Sequence, residues 1–219
     1  MKKSIKSIIK KMMSVVQYFS PTIATKILYR KYFGCSLNMK NPDTLNAKMQ
    51  WLKLKVYQNS PVVRECVDKY AVRDYIKRKN REDALVPLIG VWNSVDEIDW
   101  DSLPSKFVMK CNHGSGSVLI CKDKALFDVN NAKIKLKKWL AEDFGTQRAE
   151  LSYKGVKKKI LCEALIETDD GKSPKDYKFF CNYGEPKFLF VASDRHGEHA
   201  FFDYYDLYKY CIKWIFIFN

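Results

Sequence analysis

The segment Lys106-Phe107-Val108-Met109-Lys110-Cys111-Asn112-His113-Gly114-Ser115-Gly116-Ser117-Val118 is where residue type and spacing point most directly to chemistry. An apolar strand that carries Lys110 and runs into a Gly/Ser turn sets an ammonium beside backbone amides. A ligand can approach those amides closely, because glycine has no Cβ and tolerates unusual dihedrals. That combination suits a phosphate. It is not a Walker A loop, since the lysine precedes the glycines and Gly-x-x-x-x-Gly-Lys-Ser/Thr is absent. A plain hairpin turn with a lysine laid along its strand is the competing reading.

A second constellation lies downstream. Lys159-Ile160-Leu161-Cys162-Glu163-Ala164-Leu165-Ile166-Glu167 is an apolar strand interrupted by a carboxylate, and an adenine ring needs an apolar slot with a few polar groups at its edge. In Asp176-Tyr177-Lys178-Phe179-Phe180 the alternation aims Asp176 and Lys178 to one face, an acid for ribose hydroxyls beside a cation for phosphates. Other pairings are weaker. His196 and His199 flank Gly197-Glu198 without a third ligand of suitable type, so a polar loop is the better reading than a metal site. Ser115 and His113 are neighbours on a turn, but the Gly-x-Ser-x-Gly elbow is missing.

These residues need elements to hold them. Pro21 to Gly34 reads as a helix with Ile23, Ile27, Leu28 and Tyr32 apolar; Asn41-Pro42-Asp43-Thr44 opens another through Leu45, Met49, Trp51, Leu52 and Val56. One further helix is expected over roughly Val63 to Lys79. After Pro87 the pattern turns to strands: Val86 to Trp92, Lys106 to Cys111 and Val118 to Cys121. Asp128 caps a helix through Ala132, Leu136 and Leu140. Lys159 to Ile166, Tyr177 to Tyr183 and Lys187 to Ala192 return to β character, with Tyr183-Gly184-Glu185-Pro186 as a hairpin turn. The fold class expected is α+β, a helical N-terminal region leading into a mixed body. The organisation read is a basic helical region over 1–60, a nucleotide-binding body over 61–206 and an atypical apolar tail over 207–219.

The 219 residues, 47% hydrophobic and 29% charged, exclude collagen-like, mucin-like and wholly disordered chains. The formal net charge of +14 favours anionic partners, and it is unevenly placed. Residues 1–60 hold twelve Lys or Arg against one acid, Asp43, a balance of +11, which leaves +3 for the rest. Ile5, Ile8, Ile9, Met12, Met13 and Val16 recur at helical spacing beside Lys2, Lys3, Lys6 and Lys10, a basic amphipathic helix. Residues 1–20 could therefore lie on an anionic membrane, or pack as an ordinary surface helix. With no run of 18 apolar residues and no signal-peptide pattern, the expected location is the cytoplasm, with peripheral attachment to the inner face of the membrane. Seven scattered cysteines without Cys-x-x-Cys fit a reducing compartment, and Cys111, Cys162 and Cys181 in apolar runs read as small hydrophobes.

Lys69-Tyr70-Ala71-Val72-Arg73-Asp74-Tyr75, Val86-Pro87-Leu88-Ile89-Gly90-Val91-Trp92, the Phe107 to Gly116 block, Asp176-Tyr177-Lys178-Phe179-Phe180-Cys181 and Ser193-Asp194-Arg195, in this order, resemble the TupA-like ATP-grasp family of bacterial polysaccharide and teichuronopeptide biosynthesis. The resemblance covers approximately Lys40 to Asp206. It implies a two-lobed fold that clasps Mg-ATP between antiparallel sheets, and ATP-dependent carboxylate–amine ligation through an acylphosphate. By position it implies that Lys110 contacts the nucleotide phosphates or adenine N7 and that His113, Gly114, Ser115, Gly116 and Ser117 form the flexible phosphate loop. Glu163 with the backbone of Ala164 and Leu165 would read the adenine edge, Asp176 the ribose, and Lys178 and Arg195 would be cations of the transfer step. The implied partners are ATP and a polysaccharide or uronic-acid-containing precursor.

The resemblance implies that the acids holding magnesium lie in a later section of the family's sequences, beyond Asn219 here. Only Asp203 and Asp206 follow Glu198, and both read as ordinary strand residues. If the chain is truncated or frameshifted after about Tyr205, it is a fragment that would bind ATP weakly or not at all without completing the reaction. Two other classes stand beside the ligase. A glycosyltransferase of the same pathway would use a nucleotide sugar, against which the absence of Asp-x-Asp counts. A basic nucleic-acid-binding protein ranks last, because no recognised nucleic-acid module is present.

Overall fold

A computed structural model describes residues 12–147, 149–171, 173–194 and 200–207. The expectations placed on 1–11, on Arg195, His196 and His199, and on the tail from 208 onward lie outside the described residues. The chain is α+β, with seven helices and two antiparallel sheets among the described residues. It divides into two compact units, 1–165 and 166–219.

In the first unit the helices start where capping chemistry dictates. Residues 12–19 form α1, and Ser20 then caps α2 (Pro21–Phe33), its hydroxyl accepting from the Ile23 N–H at 3.3 Å. Gly34 closes α2 at φ +70°, where a glycine is favoured, and its N–H donates to the Arg30 carbonyl. The Thr44 hydroxyl caps α3 (Leu45–Lys55) by accepting from the Ala47 N–H, and it also lies 3.2 Å from the Tyr29 hydroxyl, joining α3 to α2.

The single helix expected over Val63 to Lys79 is two: α4 (Pro61–Val67) and α5 (Val72–Arg78). Asp68 breaks the run. Its backbone is extended, and its Oδ1 accepts from the Tyr70 and Ala71 N–H groups and from the Asn112 side-chain amide. The Lys69 N–H donates to the Asn112 carbonyl. A tertiary clamp of this kind outweighs the few tenths of a kcal/mol per residue that helix propensity supplies.

The first sheet runs β1 (Leu88–Trp92), β4 (Ile160–Glu163), β2 (Phe107–Cys111), β3 (Val118–Cys121), all pairs antiparallel. Helix α6 (Val129–Ala141), capped by Asp128 accepting from the Asn131 N–H, contacts β2 and follows the core-facing side. The period of two decides the faces. Phe107, Met109 and Cys111 pack with Cys121, Ile160, Cys162 and Leu136 into the main core. Trp92 folds back over Gly90 of its own strand, so that a Cβ on Gly90 would stand 2.3 Å from the indole. A short helix α7 (Phe144–Gln147) lies between α6 and β4. Strand β4 stops at Glu163 rather than Ile166, and the Ala164 N–H donates to the Pro87 carbonyl.

The second unit holds β5 (Asp176–Asn182), β6 (Glu185–Ser193) and β7 (Phe201–Asp206) as an antiparallel meander. Tyr183 and Gly184, at φ +50° and +82°, make the two-residue turn between β5 and β6. Cys181 does not behave as a buried hydrophobe. It is exposed, because few side chains of this sheet are enclosed on either face.

Candidate nucleotide-binding site

On the face of the first sheet opposite the core stand Val108 and Lys110 of β2, Leu161 and Glu163 of β4, Val91 of β1, and Val118 and Ile120 of β3. The cross-strand partners Val108/Glu163, Lys110/Leu161, Lys110/Val118 and Val108/Ile120 fix this. Val118 and Ile120 are each about 40% exposed, so the face offers an apolar surface with charges set into it.

Those charges are coupled. The Lys110 ammonium forms an ion pair with Glu163 Oε2, and Arg73 Nη1 lies 3.4 Å from Glu163 Oε1. Arg73 Nη2 also donates to the Val86 carbonyl at 2.9 Å. Glu163 is buried, and a buried carboxylate of this kind requires the two cations it has. Lys69, on the turn between α4 and α5, donates its ammonium to the Gly114 carbonyl. Burial, and next the Lys110 charge beside it, hold the Lys69 ammonium below its ordinary pKa. Lys69, Arg73 and Lys110 thus gather around Glu163, with Asp68 also beside Lys69, which leaves a surplus of one positive charge next to the Gly/Ser loop.

The loop is pinned at its start and open at its tip. Asn112 is fully buried: its Nδ2 donates to Asp68 Oδ1 and the Lys157 carbonyl, and its Oδ1 accepts from the Lys159 N–H at 2.7 Å. The His113 Nε2–H donates to the Trp139 carbonyl at 3.1 Å, and burial pushes the imidazole pKa down, which keeps it neutral. Gly114, at φ +81°, is buried against Phe144, whose ring would be 2.7 Å from an added Cβ. Ser115 and Gly116 are exposed, and Gly116, at φ +86°, has open space where a Cβ would be. The buried Ser117 Oγ and His113 Nδ1 have no hydrogen-bond partner among the described residues. Burial pushes the neighbouring Cys111 thiol up to about 11, so it is an inert hydrophobe at neutral pH.

The structure thus brings Lys110, Glu163 and the loop 113–117 into one neighbourhood, with Ala164 and Leu165 directly after Glu163. Asp176 and Lys178 lie on β5 of the second unit, two residues apart and on one face, opposite Ala192 and Phe190 of β6. Lys69 and Arg73 belong to the site face and were missed as site residues in the sequence. No local pattern marks them, since Lys69 reaches Gly114 across 45 residues and Arg73 reaches Glu163 across 90.

This donor set fits a polyphosphate: clustered cations, glycines at positive φ, and apolar strand residues alongside for a base. For a divalent metal it is different, since among the described residues no group of three His, Cys, Asp or Glu could hold one. No helix among the described residues is long and apolar enough to cross a membrane. No curated protein and no solved structure matches the chain. The family model for TupA-like ATPgrasp proteins matches residues 47–214, three quarters of the sequence and all of the site just described, and the chain belongs to that family.

Proposed function

We propose that this protein binds ATP on the outer face of its first sheet and serves as an ATP-dependent carboxylate–amine ligase in cell-surface polysaccharide biosynthesis, working in the cytoplasm. The observation that carries the reading is the Lys69, Arg73 and Lys110 cluster around Glu163, beside a loop whose tip is free to close on phosphates. Val108, Val118 and Ile120 offer the base an apolar surface. Ala164 and Leu165 present its edge through their carbonyls, because the Ala164 N–H is already taken.

In the reaction, a carboxylate oxygen of the acceptor bonds to the γ-phosphorus, and the bond from that phosphorus to the bridging oxygen of ADP breaks. An amine then bonds to the acyl carbon and expels phosphate, losing its proton to a base. Lys110 and Lys69 balance the charge on the phosphates. The family resemblance would add Asp176 for the ribose hydroxyls and Lys178 and Arg195 as further cations of the transfer. Magnesium would supply further charge neutralisation; no residue of this chain is assigned to it. Calorimetry with Mg-ATP, with GTP as control, tests the reading. The expected result is saturable ATP binding weakened at least tenfold in Lys110→Ala. Absence of binding by the folded chain, or unchanged affinity in the variant, overturns it.

A membrane-surface role for the N-terminal helices is favoured by one specific observation. On α1 and α2 the side chains of Met12, Val15, Phe19, Ile23 and Ile27 point outward, whereas Ala24, Thr25 and Tyr29 are the buried ones. Lys26 and Arg30 share the outward face of α2 with the two isoleucines. We infer that this face and the basic residues before it lie on an anionic bilayer. Deleting residues 1–20 together with Ile23→Glu and Ile27→Glu should abolish sedimentation with phosphatidylglycerol vesicles and leave ATP affinity unchanged. Retained vesicle binding would sink the idea.

A further inference from the structure

The Arg73 side chain, on α5 and only 13% exposed, forks between two strands. Nη1 lies 3.4 Å from Glu163 Oε1 at the end of β4, and Nη2 donates to the Val86 carbonyl at 2.9 Å, just ahead of β1. The Val86–Pro87 stretch needs such a hold. Pro87 has no N–H to give to a ladder, β1 begins only at Leu88, and its pairing with β4 is irregular between Leu88 and Gly90. Strand pairing alone therefore does not set where the Pro87 carbonyl lies. That carbonyl accepts from the Ala164 N–H at 3.0 Å, at the residue directly after Glu163. One guanidinium thus fixes both sides of this contact, the Val86 carbonyl on one strand and the Glu163 carboxylate on the other, and leaves Glu163 Oε2 to Lys110.

We propose that Arg73 is a positioning residue that sets which base the site takes, adenine over guanine, by keeping the Ala164 N–H occupied. The proposal rests on the reading that ATP lies on this face, and it deepens that reading by naming what selects the base. With its N–H given to Pro87, Ala164 has only a carbonyl to offer a ligand. Adenine brings a donor to such an edge, its exocyclic amine. Guanine brings an acceptor, O6, which a carbonyl repels, and a desolvated polar group left without its bond is what rejects an analogue most strongly. Release of the Val86–Pro87 stretch frees the Ala164 N–H, and the edge then has a donor for O6. The choice of arginine follows from the same geometry. A lysine ammonium can neutralise Glu163, but as a compact point charge it cannot fork to acceptors on two strands at once. Charge and fork are therefore separable by substitution.

The test is calorimetry of the full chain with Mg-ATP and Mg-GTP, together with hydrogen exchange of the Ala164 amide measured without nucleotide. Wild type is expected to bind ATP about twentyfold tighter than GTP, or better. Arg73→Lys should keep ATP affinity within about threefold, because the charge beside Glu163 stays, yet cut the ATP:GTP ratio about fivefold or more. In the same variant Ala164 exchange should quicken about tenfold, with the amides of Met109 and Cys162 unchanged. Arg73→Met, which removes charge and fork together, should lose the base preference and about tenfold in ATP affinity. An arginine of merely structural importance would lower both nucleotides by one factor, and a ratio that stays constant in both variants overturns the assignment. So would a wild-type chain without base preference, or unchanged Ala164 exchange in Arg73→Lys. Each of these results leaves Lys110-dependent ATP binding, and the ligase reading with it, in place. Should Arg73→Met fail to fold, Arg73→Lys decides alone. If the wild-type chain binds neither nucleotide, the ATP reading falls on that result and the base assignment falls with it.

Discussion

The two sheets are built from the same antiparallel ladders, yet they are stabilised in different ways. The first has a dry side, with Phe107, Met109, Cys111, Cys121, Ile160 and Cys162 buried together with Leu136 of α6. In the second, only Val191 and Ala192 are buried among the described residues. Its cohesion comes from rings paired across strands. Phe180 stacks on Phe188 at 4.3 Å, and Phe190 stands within 5.9 Å of Phe180, Phe202 and Tyr204. Cross-strand aromatic pairs of this sort contribute about 0.5–1.5 kcal/mol each beyond area burial. A sheet with a sealed core can hold charges such as Lys110 and Glu163 in fixed geometry on its other face. An open sheet held by rim aromatics has less to fix its polar residues with, and Asp176 and Lys178 lie on such a sheet.

The comparison can be broken most forcefully in the core. Leu136 is fully buried, and Leu136→Ala should cost about 2–5 kcal/mol, removing amide protection throughout β2 and β4. Phe190→Ala removes three ring contacts from a half-exposed site and should cost on the order of 1–3 kcal/mol. That loss should be confined to hydrogen-exchange protection in β5, β6 and β7. If Phe190→Ala also releases β2 and β4, the sheets unfold as one cooperative body and the distinction drawn between them fails.

Local chemistry was readable in the sequence; relations across long separations were not. Thr44 and Asp128 cap the helices where their positions indicated, and the Gly/Ser turn joins the two strands expected on either side. These features depend on neighbours three or four residues away. Arg73 reaches Glu163 across 90 residues and Lys69 reaches Gly114 across 45, and no local pattern records such contacts. The break at Asp68 was hidden for the same reason, since its partner is Asn112. Helix α2 shows a different failure. Periodicity locates an apolar stripe without saying which way it points, and here small Ala24 and Thr25 make the close contact while Ile23 and Ile27 stay out. The site inherits this division. Lys110 and its loop were legible as one segment, whereas the cations that complete the cluster depended on the fold.

A smaller effect sharpens the comparison through pH. His113 is buried in the first unit, and no titratable side chain of the second sheet is buried among the described residues. Burial first, and then the Lys158 charge, lower the folded-state pKa of His113 below its ordinary 6.5. Between that lowered value and 6.5 the unfolded chain binds more protons than the folded one, so stability rises with pH across the window. Its contribution is complete above 6.5 and is lost as pH falls through the folded value. Acidification from pH 7 to 5 should therefore loosen the first sheet, with β2 and β4 amides losing protection before those of β5 and β6. His113→Asn, which keeps a side-chain amide for the Trp139 carbonyl but cannot take up the proton, should flatten that part of the pH profile. An unaltered acid slope in the variant would place the proton uptake elsewhere in the first unit and leave His113 a packing residue alone.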